Sequence, residues 1–391
     1  MKQEQLLNLP IEWKRGSGFR KSDLDEEGKN KCILYGELYT KHKNILIENH
    51  NISRTNKIGA FYSIKGDILV PGTSTASKKD MLLAREIDED GVFLGGDINV
   101  IRPKQGIFAK KYLPYYFETF TAYDQLDRYI TGATGIIHIS NTGLKKLKVP
   151  LPTFQEQQRI VVILDEVFAA IAKAKANVEH NLNNAKELFK SELERVFSDK
   201  CNSREEKTIE EVCDEIFAGG DAPKNNFSIE KTQKFTIPIY ANSVKKNGLY
   251  GFTNFARVCK PSITIAARGS GTGHTELRNE DYLPIVRLIV LIPNYKLMSL
   301  EFLKYKIDTL EILRSGSAIP QLTVPMIKEY KIPILSLQEQ QNIVTKLDNL
   351  RAATKKLEGI YEQKLLDLEE LKKSILQKAF SGELTSKSVI I

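Results

Sequence analysis

The sequence predicts a mixed α/β protein: two globular α/β modules separated by two long helices that form an antiparallel coiled coil. Three observations predict it. The 391-residue chain repeats one motif far downstream, a heptad pattern follows each copy, and short β-branched runs precede each copy.

The repeat comes first. Val149-Pro150-Leu151-Pro152-Thr153-Phe154-Gln155-Glu156-Gln157 returns as Ile332-Pro333-Ile334-Leu335-Ser336-Leu337-Gln338-Glu339-Gln340, an offset of 338 − 155 = 183 residues. The register continues through Leu164 and Leu347 to Phe197-Ser198 and Phe380-Ser381. It also runs backwards, setting Thr134 to Ser140 over Ser317 to Thr323. Upstream the halves diverge. Cys32 to Glu37 and Ile237 to Asn242 read as one strand seen twice, and Ile68-Leu69-Val70 matches Ile263-Thr264-Ile265. A duplicated scaffold with divergent modules suits a molecule that presents two different surfaces.

After each motif the apolar residues step by threes and fours. Val161, Leu164, Phe168, Ile171, Val178, Leu182, Ala185, Phe189 and Val196 form the first seam, with Lys175 and Glu192 out of turn. Ile343, Leu347, Leu350, Leu357, Tyr361, Leu368, Leu371 and Ile375 form the second, with Thr354 and Lys364 as weak members. Such a seam sustained over about five heptads reads as a coiled coil. At about 1.5 Å per residue each helix reaches roughly 65 Å. A long helix with one narrow apolar stripe needs a partner, and the other copy is the simplest one. The alternative is that each helix folds back on its own module. The predicted segments are 1–148 (first module), 149–198 (central repeat and helix), 199–331 (second module) and 332–391 (C-terminal repeat and helix).

Within the modules, Ile98 to Ile101 before Arg102-Pro103 and Val286 to Ile292 before Pro293 read as strands. Helical stretches fall at Tyr112 to Phe120 and Leu300 to Leu313. The strands are expected to be mostly antiparallel.

Composition narrows the class. The chain exceeds what one core serves. A net charge of +8, spread along the length, favours a polyanionic partner without requiring one. Cys32, Cys201, Cys213 and Cys259 make no C-x-x-C pair, which suits free thiols in a reducing compartment. The opening residues lack the basic-then-apolar order of a signal peptide, and the longest apolar run is too short for a bilayer. The expectation is a cytoplasmic protein with no membrane partner.

No catalytic constellation, cofactor motif or metal-ligand spacing is present in the sequence. The run Arg268-Gly269-Ser270-Gly271-Thr272-Gly273-His274 fits neither phosphate-loop pattern. It can bring backbone close to a polyanion, with Arg268 offering a fork matched to phosphate or guanine and Ser270, Thr272 and His274 adding hydrogen-bonding groups. Its counterpart in the first half, Pro71 to Lys79, supplies Lys78 and Lys79 instead. Further basic residues near aromatics are Lys41, Lys43, Arg54, Lys224, Lys245 and Lys246. Taken singly, each also fits an ordinary solvated charge, and the loop an ordinary turn. The segments 316–321 and 132–138, just before the helices, are second candidates, for contact or as hinges.

Two unlike modules, each followed by the motif at Pro150 to Gln157 or Pro333 to Gln340, and a closing Ala379-Phe380-Ser381-Gly382-Glu383-Leu384, resemble the specificity subunit of type I restriction–modification enzymes. The resemblance covers essentially the whole chain. Phe197-Ser198-Asp199-Lys200 departs from the fuller second ending. The resemblance implies that each module is a target-recognition domain reading one half of a bipartite, asymmetric site in double-stranded DNA. It implies that the helices act as a ruler and that the chain has no enzymatic activity of its own. It implies recruitment of two methyltransferase (modification) subunits, optionally with restriction/translocase subunits. A coiled-coil adaptor that binds proteins and no DNA is one alternative, and an enzyme with an unrecognised site, such as a self-contained modification protein, is another.

Overall fold

The computed structural model describes residues 1–75, 77–133, 135–199, 205–269, 271–310 and 321–384. The chain divides into two compact units, Met1–Glu179 with Gln363–Ile391, and His180–Glu362.

In unit 1 the main sheet contains β1 (Ile11–Arg15), β2 (Ile68–Pro71), β3 (Arg85–Ile87) and β4 (Ile98–Pro103) in the order β1-β4-β2-β3, with Leu46–Ile47 parallel at the far edge. In unit 2, β5 (Cys213–Ala218), β6 (Ser262–Ile265), β7 (Thr275–Arg278) and β8 (Ile289–Pro293) take the order β5-β8-β6-β7. The topology is the same. A smaller sheet is duplicated too. Asn30–Ile33 lies antiparallel to Ser53–Thr55 and parallel to Phe93–Leu94, as Ile237–Tyr240 lies antiparallel to Leu249–Thr253 and parallel to Leu283–Pro284. The match of Ile68–Val70 with Ile263–Ile265 therefore holds, whereas the match of Cys32–Glu37 with Ile237–Asn242 holds only in part: the first strand ends at Ile33, a helix begins at Glu37, and Cys32 and Ile33 take the places of Ile239 and Tyr240. The strands are mostly antiparallel. The strand expected from Val286 begins only at Ile289, because Val286 and Arg287 adopt positive φ (51° and 60°) in a turn.

The central strands are apolar on both faces because both faces are covered. Ile68 and Val70 enter a core with Tyr112, Tyr116 and Phe117, while Leu69 enters another with Ile33, Leu38 and Val100. In unit 2, Ile263, Ile265, Ile289 and Leu291 pack with Phe302 and Leu303.

The two long helices are α1 (Phe154–Asp199) and α2 (Leu337–Ser381). The repeated Gln-Glu-Gln lies inside each first turn. Its last glutamine is a buried clamp. Gln157 Oε1 accepts the Ala109 amide (2.9 Å) and Nε2 donates to the carbonyls of Ile107 (3.1 Å) and Pro152 (3.2 Å). Gln340 does the same with the Ser299 amide (2.7 Å) and the carbonyls of Leu297 (2.8 Å) and Leu335 (2.9 Å). About two turns further on, Tyr115 donates to Asp165 (2.6 Å) and Tyr305 to Asp348 (2.5 Å).

The start of α1 and the end of α2 share unit 1, where Ile160, Leu164, Leu376 and Phe380 join one core. The end of α1 and the start of α2 share unit 2, where Leu193, Phe197, Ile343 and Leu347 join another. In each unit the helices therefore run antiparallel. Their ends pack into the modules, while the middle keeps the narrow seam: Ile171, Val178, Leu182, Leu350 and Leu368 are half-buried. The sequence reading needs one correction here. Leu357 and Leu371 are 39 % and 46 % exposed, and the seam of α2 runs through Thr354 (3 %), which was expected to be a weak member, and through half-buried Leu365 rather than Lys364.

The out-of-turn residues of α1 have a purpose. Lys175 pairs with Glu369 in unit 1 and Glu192 with Lys346 in unit 2, each at 2.7 Å. Hydrogen bonds from Arg195 and then Lys346 hold the Glu192 carboxyl down to about 2.

Candidate nucleic-acid interface

The Gly-rich run of unit 2 is the loop between β6 and β7. Gly273 donates its amide to the Ala266 carbonyl (2.9 Å), and Thr272 Oγ1 donates to Gly269 (2.8 Å). Gly269 and Gly273 have φ of +80° and +93°, and a Cβ at Gly271 would lie 2.3 Å from Val244 Cγ2. Glycine is needed at all three for backbone conformation or close approach. Asn242 fixes the base of the loop: Oδ1 accepts the amides of Ala267 and Arg268, and Nδ2 donates to the Arg268 carbonyl.

Arg268 bridges to Gln321, its Nη2 donating to Gln321 Oε1 (3.3 Å), and the Leu322 amide donates to Ala267 (2.9 Å). Unit 1 repeats this frame with other side chains. Thr73 pairs with His138 in the sheet, their Oγ1 and Nδ1 lie 3.0 Å apart, and the Ile139 amide donates to Gly72 (3.0 Å). In repeat register Thr73 stands where Arg268 stands (268 − 73 = 195) and His138 where Gln321 stands (321 − 138 = 183).

Lys245 and Lys246 sit on an exposed turn beside this loop, since Val244 packs on Gly271 and Asn242 holds Arg268. The turn needs support because Lys246 and Asn247 are left-handed (φ 50° and 52°). Arg278 supplies it. This buried guanidinium donates to the Asn247 carbonyl (2.5 Å) and the Thr264 hydroxyl (3.2 Å) and stacks 3.5 Å from the Tyr240 ring centre. Arg268, Lys245 and Lys246 thus come together. Lys224 is exposed on a separate segment near Asn226.

In unit 1, Lys41 and Lys43 line one small cleft and Arg54 lines the next with Lys31; His50 belongs to both. Lys41 donates to Ser53 (2.7 Å) and Arg54 to the Gly28 carbonyl (3.1 Å). Lys78 and Lys79 follow Thr73 and Ser74, and Lys78 is bound to Asp127 (2.8 Å), which raises its pKa.

Two candidates have local roles. Thr272 is 4 % exposed, so its hydroxyl shapes the turn rather than facing outward. His274 bonds Glu276 (2.9 Å) and lines a polar cavity of about 600 Å³ with Lys304, Asp308 and Arg351. Ser270, residues 316–320 and Cys201 lie outside the described residues. Cys32, Cys213 and Cys259 are unpaired thiols.

Asn242, Arg278 and Thr73 were missed by sequence reading. Asn242 closely follows the apolar strand Ile237–Tyr240, the one available signal, whereas Arg278 ends the polar strand Thr275–Arg278 and Thr73 lies in the polar Thr73–Ser74, which give none. Among the described residues no cluster of His, Cys, Asp or Glu could hold a metal, and no helix is long and apolar enough to cross a membrane.

The model of the type I restriction modification DNA specificity domain matches residues 1–180 and again 203–365. The chain belongs to this family. The putative type I specificity subunit S.MpnORF507P of Mycoplasma pneumoniae is 35 % identical over 142 residues, 36 % of this chain and 38 % of that protein. The putative type I restriction enzyme MjaX specificity subunit of Methanocaldococcus jannaschii is 23 % identical over 355 residues, 85 % of this chain and 81 % of that protein. The matches to three Mycoplasma pneumoniae relatives span 38 %, 41 % and 63 % of their lengths. Among solved structures, a chain of a type I R-M system gives a TM-score of 0.79 at 18 % identity, covering 98 % of both chains. The HsdS subunit from Thermoanaerobacter tengcongensis gives 0.65 at 18 % identity, covering 98 % of this chain and 97 % of that one. The fold of this specificity-domain chain is theirs: two α/β domains with a long antiparallel helix pair.

Proposed function

We propose that this chain is the DNA-reading specificity subunit of a type I restriction–modification system. It reads a bipartite, asymmetric site in duplex DNA and brings two methyltransferase subunits, with or without restriction/translocase subunits, to that site in the cytoplasm. The observation that carries the reading is one backbone frame built twice, with Thr73 and His138 on one copy and Arg268 and Gln321 on the other. A molecule that held two copies of one ligand would keep these side chains alike. The segments 1–148 and 199–331 are the recognition parts, and 149–198 and 332–391 set the spacing between half-sites. The chain works without chemistry of its own: it binds and positions while its partners methylate.

The test is to map methylated adenines genome-wide in cells with and without this gene, the methyltransferase gene being present in both. A bipartite motif present only with the gene is expected. An identical methylation pattern in both strains rejects the reading. Gel shifts of the assembled complex across a salt series should also show affinity falling steeply with salt, as phosphate neutralisation requires.

A further inference from the structure

We propose that the paired ladder positions 73/138 and 268/321 are where each module reads bases, and that Arg268 reads a guanine in the half-site of unit 2. The proposal rests on the DNA-reading function above and deepens it. The backbone at these positions is the same in both units, down to the amide of the next residue donating to the facing carbonyl: Ile139 to Gly72 and Leu322 to Ala267. Only the side chains differ, and both pairs are polar.

In each pair one member projects and the other supports it. Arg268 is exposed, and Gln321 Oε1 takes one of its Nη2 protons. That contact fixes the guanidinium plane and leaves donors for the O6 and N7 acceptors of guanine, the pairing that suits an arginine fork. Asn242 grips the backbone beneath it with three hydrogen bonds. A reader must be held this firmly to discriminate. In unit 1 the roles change strands. Thr73 is buried at 6 % exposure, and His138 is exposed with Nδ1 on the Thr73 hydroxyl, leaving Nε2 for a base edge. Unit 1 therefore reads with a single imidazole nitrogen where unit 2 reads with a fork.

The experiment is methylation mapping in cells that carry the methyltransferase and either the natural chain, Arg268→Lys, Gln321→Ala or His138→Ala. Lysine keeps the charge and loses the fork. Arg268→Lys is expected to relax one position, a G in the natural motif, with discrimination there falling about 5- to 150-fold. Gln321→Ala should relax the same position more weakly. His138→Ala should relax a position in the other half-site only. If Arg268→Lys leaves the motif unchanged, or weakens all sites alike with the thermal melt unaltered, Arg268 contacts no base and the proposal fails. If Arg268→Lys lowers the melt, Gln321→Ala decides by the same criterion. A natural chain that confers no motif at all overturns the DNA-reading function instead, so the two failures are distinguishable.

Discussion

At the scale of single residues, the most legible motif in the sequence means something the sequence does not say. Gln155-Glu156-Gln157 and its copy look like a surface signature, yet Gln157 and Gln340 are buried and each satisfies three backbone groups, while Gln155 and Gln338 are exposed. Removing such a side chain leaves backbone donors and acceptors without partners at about 1–3 kcal/mol each. Gln340→Ala should therefore destabilise the protein by about 3 kcal/mol or more in urea unfolding, whereas Gln338→Ala should change it by less than about 0.5 kcal/mol. Equal effects would show that the clamp contributes nothing. His42 makes a second residue-scale case. Burial, then Lys41 and Arg85, push its pKa from 6.5 down to about 4. The folded state resists the proton that the unfolded chain accepts, so stability is full above pH 6.5 and falls as pH drops through 6.5 toward 4. At pH 4.5 the deficit is about 2 kcal/mol. Buried Glu86, raised to about 6, slopes the other way, so the difference between natural protein and His42→Gln isolates the imidazole. The gap should narrow by about 2 kcal/mol in favour of the variant between pH 7 and pH 4.5. A constant gap in urea titrations would contradict it.

At the scale of elements, the heptad positions were legible because coiled-coil packing is a one-dimensional pattern, and α1 follows it from Val161 to Val196. The error at Leu357 has a physical reason. Around Gly359 the α2 sequence offers Leu357, Ile360 and Tyr361 within five residues, and apolarity alone does not say which one faces the partner. Thr354 tolerates burial because its hydroxyl bonds the Arg351 carbonyl within its own helix (3.1 Å), which no hydropathy pattern records. Leu357→Gln should therefore be nearly neutral, whereas Leu347→Ala in the unit 2 core should cost about 2–5 kcal/mol. The Gly-rich loop and the turn beside it were harder to read. Arg268 and its lysine neighbours were visible as residue types, but Asn242 and Arg278 act on them across 26 and 31 residues of chain, through contacts that depend on the sheet. The charged breaks in the seam show the same limit. Lys175 was legible as an exception but its partner Glu369, 194 residues away, was not. Lys175→Glu should cost about 0.5–1 kcal/mol, and the further change Glu369→Lys should restore it. A double variant no better than the single one would mean the pair sets nothing.

At the scale of the whole molecule, the cross-helix contacts of the two units keep one register. In unit 1 Lys372 lies over the Phe168 ring, and in unit 2 Arg351 lies over the Phe189 ring. Along α1 the step is 189 − 168 = 21 residues, and along α2 it is 372 − 351 = 21, which is three heptads on each helix. The sequence repeat maps Phe168 onto Arg351 and Phe189 onto Lys372, so the two contacts occupy equivalent positions of the repeat, with both rings on α1 and both cations on α2. An equal count on both helices has a consequence for design. A heptad taken from α1 alone leaves one set of contacts out of step with the other, so it should lower stability and expression rather than give a clean change of spacing. A heptad taken from both, 177–183 and 357–363, preserves both sets of contacts, because facing positions are removed together. If helix length sets the gap between half-sites, methylation mapping of that paired deletion should show both half-site sequences retained and the spacer between them shortened. Seven residues remove about 10 Å of helix, which is about three base pairs of duplex at 3.4 Å each. A paired deletion that melts like the natural protein and keeps the natural spacer would separate helix length from site spacing and remove the ruler from the account.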